Sequence, residues 1–236
     1  MQVKVYGSGS SGNSYTITSS TGETLVLDAG IKPSKIYRDV SPENIAGVLI
    51  THSHGDHAAY TNAYLRDFLR VYAPFKCKGV TYTKHGNILQ IGTFLVKVLK
   101  MQHDVPCVGY LIHHEEIDGD ILYATDTNGI HYSFKHLKLA MIEADYSLGI
   151  LQHNVSSGII IPSLAWRIQE NHNSLVQAAQ FCNLVGTLEN VMLVHLSNDN
   201  AIEDMYIKYF KEETNFIPYI AREGLTLNLK RFSIFG

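Results

Sequence analysis

At residues 51–57 the chain reads THSHGDH, which places three imidazoles and one carboxylate within six residues. An apolar run directly precedes this cluster and predicts a buried strand that ends there. Because side chains alternate along extended backbone, His52 and His54 share one side and can reach one cation. Asp56 and His57 follow, where the loop enters a predicted helix, and they can serve a second cation. The stretch therefore predicts a metal centre.

The composition is that of an ordinary globular protein. The 236 residues are 45% hydrophobic and 17% charged, with a net charge of −3, so we expect a single domain over residues 1–236. This charge does not indicate binding to nucleic acid or membrane, and any basic surface must be local. The three cysteines lack paired spacing, no apolar stretch is long enough to span a bilayer, and the first residues do not resemble a signal peptide. We therefore expect a cytoplasmic protein with reduced thiols and no membrane partner.

Five histidine or aspartate side chains fall just past predicted apolar strands. They are Asp28, His52, His103, Asp126 and His195. In layered α/β proteins the ends of strands are where functional groups converge. We therefore expect residues that are far apart in sequence to meet at one site.

The HxHxDH stretch and the order of the later motifs resemble the metallo-β-lactamase superfamily along the whole chain. The resemblance implies an α/β fold, a four-layer αβ/βα sandwich of two packed mixed sheets flanked by helices. It implies two divalent metal ions, Mn²⁺ or Zn²⁺, since both accept nitrogen and oxygen ligands. The implied ligands are His52, His54 and His103 for one ion, Asp56, His57 and His195 for the other, and Asp126 as the bridge. A hydroxide between the two ions would be the nucleophile.

Two further residues acquire roles through this resemblance. Asp28 matches an aspartate that orients the metal ligands from behind, and the alternative is a turn-forming residue. His172 resembles the extra histidine that nuclease branches place near the scissile phosphate, which implies a phosphate contact or a general acid; the alternative is helix capping. Asp56 and His172 are thus the catalytic candidates. The loop at residues 7–14 is either a phosphate-binding segment or a plain hairpin connection.

Several short motifs are similar to those of small bacterial and phage nucleases of the superfamily, relatives of RNase J without its inserted β-CASP domain. These motifs are GSGxxGN at residues 7–13, His103-Asp104, Thr125-Asp126-Thr127 and His195-Leu196-Ser197. The similarity implies a DNA exonuclease that hydrolyses phosphodiester bonds from 5′ to 3′. A homo-oligomer and a recombination or repair partner protein are compatible with it.

Other readings stay open at this point. The same metals would serve a small-molecule hydrolase such as a cyclic-nucleotide phosphodiesterase, and a non-enzymatic module that has lost its metals is a third class. The lysine-rich run 66–100 is either a patch for a polyanion or a solvated face. For a nuclease, basic and aromatic side chains would guide the strand by charge and stacking. The candidates are Lys76, Lys78, Lys84, Arg167 and Trp166, and the alternative for Trp166 is a core aromatic.

Two local structures can also be predicted. Leu65, Phe68, Leu69 and Tyr72 have helical spacing and predict a helix that packs on the core. The segment 147–169 lacks such a pattern, and we expect an irregular insertion near the mouth of the site.

Overall fold

The computed structural model describes residues 1–229 of the chain; residues 230–236, which the predicted domain includes, lie outside the described residues. The strands of the first sheet are β1 (Gln2–Gly7), β2 (Ser14–Thr18), β3 (Thr24–Leu27), β4 (Ile45–Leu49), β5 (Val71–Ala73), β6 (Thr81–Tyr82) and β14 (Thr226–Asn228). Those of the second are β7 (Ile88–Ile91), β8 (Phe94–Met101), β9 (Cys107–His113), β10 (Asp120–Ala124), β11 (Leu137–Glu143), β12 (Asn190–Val194) and β13 (Tyr219–Ile220). The α-helices are α1 (Pro33–Ile36), α2 (Gly55–Ala58), α3 (Thr61–Arg66), α4 (Leu148–Ser156), α5 (Pro162–Asn171), α6 (Leu175–Leu184) and α7 (Glu203–Glu213).

Both sheets are mixed, and each joins an antiparallel half to a parallel half. The first has the order β14-β1-β2-β3-β4-β5-β6, antiparallel from β14 to β3 and parallel from β3 to β6. The second has the order β13-β12-β11-β10-β9-β8-β7, parallel from β13 to β10 and antiparallel from β10 to β7. Because parallel neighbours end at the same edge of a sheet, the segments after β3 and β4, and those after β10 and β12, emerge together.

Strand alternation builds the four layers. Along β3, Leu25 and Leu27 enter the core between the two sheets, while Val26 packs on the outer face beneath α1 and α3. The same alternation along β12 separates the inter-sheet core from the core beneath α6 and α7. Each such fully buried side chain stabilises the fold by about 1.5–3 kcal/mol. The predicted sandwich of two mixed sheets with flanking helices is confirmed.

Two local predictions were wrong. The predicted helical face is split: α3 ends at Arg66, Tyr72 lies in β5, and Phe68 is 94% exposed with a left-handed backbone at φ 60°. The core contacts of the other three residues are confirmed, since Leu65, Leu69 and Tyr72 pack on buried clusters. The segment 147–169 forms α4 and most of α5 instead of an irregular insertion, and Pro162 occupies the first turn of α5, where its missing N–H costs nothing. No helix among residues 1–229 combines the length and the apolarity needed to cross a bilayer.

Candidate metal centre

Three site residues turn sharply where their strands end. Asp28, Asp126 and His195 follow β3, β10 and β12, and their backbones are left-handed, with φ of 58°, 50° and 51°. This conformation is uncommon for residues with a Cβ and persists only where the surrounding structure enforces it. Each turn redirects the chain immediately after a buried strand, so that the side chain lies at the mouth between the two sheets.

The first group of predicted ligands consists of His52, His54 and His103. Their ligand atoms lie within 4.8 Å of one another. The Nδ1 atom of His54 is 3.3 Å from Nε2 of His103, and the ring of His52 lies 4.7 and 4.9 Å from the other two rings. β4 and β8 belong to different sheets, so this group joins the two sheets at their common edge.

The second group consists of Asp56, His57 and His195. The Oδ2 atom of Asp56 is 3.2 Å from Nε2 of both histidines. Asp126 Oδ2 lies 3.1 Å from Nε2 of His57, and Asp126 also forms a compact ligand set with His57 and His52. Asp126 therefore lies between the two groups. The structure brings all seven predicted ligands together in one place.

Asp28 holds the second group from behind. Its fully buried carboxylate accepts hydrogen bonds from the backbone N–H of Thr51 at 2.7 Å and from the Tyr123 hydroxyl at 2.5 Å. It also lies 2.7 Å from Nδ1 of His57. Bonding at Nδ1 fixes the ring orientation and leaves Nε2 facing Asp56 and Asp126.

The glycine-rich loop supports the same residues. The side-chain amide of buried Asn13 lies 3.0 Å from Nε2 of His57 and 3.3 Å from Oδ2 of Asp56, and its backbone N–H donates to the Asp56 carbonyl at 2.7 Å. Gly30, which lies after β3 and donates its N–H to the carbonyl of Asn13 at 3.0 Å, packs so close that a Cβ there would stand 1.8 Å from the Asp56 carbonyl oxygen. The loop is thus a packing partner of the ligands, a role that was not among the two predicted alternatives, phosphate binding and a plain hairpin connection.

The donor set fits two metal ions. Nε2 of His52 is buried and has no hydrogen-bond partner among the described residues, a cost of about 1–3 kcal/mol that a coordinated cation would remove. Burial lowers the pKa of His57, but the carboxylates of Asp126 and Asp28 raise it well above its ordinary value. These carboxylates make the local potential negative, which favours a cation. The histidine and aspartate clusters are consistent with a dinuclear metal site.

A buried glutamate and His172 adjoin the centre. Glu143, the last residue of β11, accepts hydrogen bonds from the backbone N–H of Thr127 at 3.1 Å and of Asn173 at 3.0 Å. Its Oε1 lies 2.7 Å from Nδ1 of His172 and 3.2 Å from Nδ1 of His195. Burial lowers the pKa of His172, but the charge of Glu143 outweighs it and raises the pKa to about 9. Glu143 was not among the predicted site residues, although it is an acid at a strand end like the others.

Helix capping at this point falls to another residue. Ser174 caps α6 through a reciprocal pair of hydrogen bonds with Gln177, while His172 stacks on His195 with ring centroids 5.6 Å apart. His172 therefore directs its side chain to the site and is not the N-cap of α6, although its backbone N–H closes the end of α5 on the carbonyl of Ile168.

Asp104 connects the first group to α5. Its Oδ1 atom is 3.3 Å from Nε2 of both His54 and His103. Arg167 lies 3.2 Å from the other oxygen and balances its charge. Trp166, the next residue back, is 66% exposed, so the alternative of a core aromatic is wrong.

A sequence profile described as the metallo-beta-lactamase superfamily matches residues 7–67, which contain the glycine-rich loop and the HxHxDH stretch. The chain is 26% identical over 235 residues to the exodeoxyribonuclease WalJ of Streptococcus pneumoniae serotype 2, covering 85% of this chain and 83% of that protein. It is also 26% identical over 130 residues to the ribonuclease Z of Bacillus cereus. That match covers 43% of this chain and 42% of ribonuclease Z, so the chain matches less than half the length of this relative.

Solved structures share the whole architecture. The metallo-beta-lactamase fold protein YhfI of Bacillus subtilis has a TM-score of 0.75 at 19% identity, over 96% of this chain and 99% of that one. Zn²⁺-bound PqqB of Methylobacterium extorquens has a TM-score of 0.75 at 14% identity, over 97% and 100%. At these identities the likeness shows the fold, and the predicted metallo-β-lactamase fold is confirmed.

Proposed function

Because this chain is a member of the metallo-β-lactamase superfamily, we propose that it is a dinuclear phosphodiesterase that degrades DNA from its 5′ ends. Its premise is that the chain is a metal-dependent hydrolase of this fold with distant nuclease relatives. The observation that carries the proposal is the Glu143–His172 pair beside two groups of metal ligands. The match to an exodeoxyribonuclease over most of both chains supports DNA as the substrate.

The ligand groups define where the ions would be held. His52, His54 and His103 would hold one ion and Asp56, His57 and His195 the other, with the carboxylate of Asp126 available between the two groups. When bound, such a pair supplies Lewis-acid activation of a phosphodiester and of water near neutral pH. The chain's own residues provide the rest: Asp28 fixes His57, Asn13 fixes Asp56, and Glu143 fixes His172.

His172 is suited to protonate a leaving group. The interaction of its Nδ1 with Glu143 and the stacking on His195 hold the ring, which leaves Nε2 as the atom that can carry a proton toward substrate. A departing sugar oxygen is a poor leaving group unless it is protonated, and a positioned acid contributes about 10²- to 10⁴-fold. His172 retains partial exposure, with 20% of its side chain accessible.

The test is product analysis with the metal-loaded protein. We expect 5′-labelled DNA to release labelled mononucleotide first, with Mn²⁺ or Zn²⁺ present, while 3′-labelled DNA shortens progressively. Asp126→Asn is the negative control, because it preserves the shape of the side chain after β10 but removes a charge shared by both ligand groups. Cleavage of cyclic nucleotides without cleavage of DNA would replace this proposal with a small-molecule phosphodiesterase. Cleavage of RNA alone would reassign the substrate to the type named for the ribonuclease Z relative.

A further inference from the structure

A groove opens beside the first ligand group at the edge where the chain crosses from one sheet to the other. It has a volume of about 610 Å³, enough for a nucleotide-sized group, and His103 and Asp104 are among the residues that line it. Its walls carry three basic side chains, Lys84, His85 and Lys100. None of these three residues belongs to the groups of metal ligands described above.

The backbone explains how these side chains meet. Between β6 and β7 the chain lies against β8, where the N–H of Gly86 donates to the carbonyl of Val98 and the N–H of Val98 donates to that of Asn87, both at 2.9 Å. This pairing brings Lys84 and His85, which line the groove, close to the end of β8. Lys100 lies two residues beyond Val98.

Lys100 faces the mouth of the site. Phe94, Val96 and Val98 point into the core between the sheets, and Lys100 continues the same face of β8 where that core ends. Lys97 is also exposed but points to the opposite face, and it does not line the groove. Lys100 is three residues before His103, at most about 10 Å along an extended chain.

The groove has a positive charge excess and an apolar side. Among residues 1–229, neither Lys84 nor Lys100 takes part in the lysine salt bridges, which belong to other lysines. The one acid that lines the groove, Asp104, is paired with Arg167. Tyr82, 54% exposed, and two prolines supply flat apolar surface. Cations with an exposed aromatic ring are the combination that binds single-stranded nucleic acid by phosphate contact and base stacking.

We propose that this groove binds the single-stranded segment next to the scissile phosphate, with Lys84 and Lys100 on backbone phosphates and Tyr82 stacked on a base. The inference rests on the proposed function, since it assumes that a phosphodiester chain reaches the metal centre. It assigns the strand path to this groove and not to Trp166, which lies on α5 in a shallow apolar hollow with residues of α4.

The test measures binding by metal-loaded protein of a short fluorescent oligonucleotide with phosphorothioate links, which resist cleavage. Each phosphate contact contributes about 0.7 to the slope of log affinity against log salt for single strands. In Lys84→Ala/Lys100→Ala the slope should fall by about 1.4, so that the affinity lost between about 50 and 200 mM salt shrinks about sevenfold. Lys97→Ala, from the opposite face of the same strand, should keep the wild-type slope.

Stacking is tested separately. Tyr82→Ala should weaken binding about fivefold or more without changing the salt slope, while Tyr82→Phe should bind like wild type. A DNA and an RNA oligonucleotide of one sequence are compared. Tighter binding of DNA supports the proposal as stated. Tighter binding of RNA, with the same loss of affinity in the lysine and tyrosine variants, supports the groove as the binding site but identifies the strand as RNA.

Two results would overturn the proposal that this groove binds the single strand. One is a wild-type salt slope in the double lysine variant, with its thermal unfolding unchanged; the other is an equal slope change in Lys97→Ala. Failure of the proposed function is distinguishable from failure of the groove assignment. In the former case the wild-type protein cleaves no DNA, whatever the binding measurements show.

Discussion

Replacing Glu143 with glutamine should separate the role of His172 from that of the metal ions. The carboxylate interacts with Nδ1 of His172 at 2.7 Å and accepts two backbone N–H groups, from Thr127 and Asn173. Glutamine keeps the shape but turns one acceptor oxygen into an NH₂ donor. A hydrogen bond to a charged group contributes about 1.5–3 kcal/mol, so its loss at His172 predicts a decrease in kcat of about 10- to 150-fold.

The assay compares two substrates. DNA has a sugar oxygen as leaving group and needs a proton from His172, whereas bis(4-nitrophenyl) phosphate releases a stable anion and does not. We therefore expect Glu143→Gln and His172→Ala to slow DNA cleavage strongly while cleavage of the nitrophenyl ester changes only a few-fold. Since both residues act through one proton, the double variant should lose no more than His172→Ala alone.

A matched control and a clear refutation are available. Glu189→Gln removes an exposed carboxylate that pairs with Lys138 on another face, and it should leave both activities intact. Equal losses on both substrates in Glu143→Gln, together with lost metal content, would refute the leaving-group role. That outcome would show that Glu143 serves mainly to orient His195, which lies 3.2 Å away.

Three further changes test the rest of the site and its support. Asp56→Ala should abolish hydrolysis with the chain still folded, because it removes the carboxylate that lies 3.2 Å from both His57 and His195; retained turnover would contradict the two-metal site. Gly30→Ala should lower the melting temperature sharply, since its Cβ would meet backbone at 1.8 Å, and an unchanged melting curve would contradict that packing. At Glu116, burial raises the pKa but hydrogen bonds from Ser20 lower it below its ordinary value, so its stabilisation is present above about pH 4.3 and is lost as pH falls further. The melting temperature of Glu116→Gln should therefore be lower than that of wild type at neutral pH and approach it in acid, as followed by thermal unfolding across pH.

Much of the site could be predicted because its residues sit at strand ends. The apolar run before His52 and those before Asp28, Asp126 and His195 mark strands by local periodicity alone. Parallel neighbouring strands end at the same edge of a sheet. Residues that directly follow such strands in the sequence are therefore expected to lie near one another. Tertiary context overrode local pattern at Phe68, where a left-handed turn ends the helix and exposes the ring.

The sequence by itself determined the metal-ligating residue types and their positions at strand ends, since these depend on short-range alternation of side chains. The sandwich itself was predicted from the resemblance to the superfamily. Only the tertiary structure decided which distant groups touch. The pairing of Glu143 with His172 requires β11 to lie between β10 and β12, and the groove of Lys84 and Lys100 requires the chain to cross between sheets beside β8. Such contacts depend on strand order and chain path, which no local period encodes.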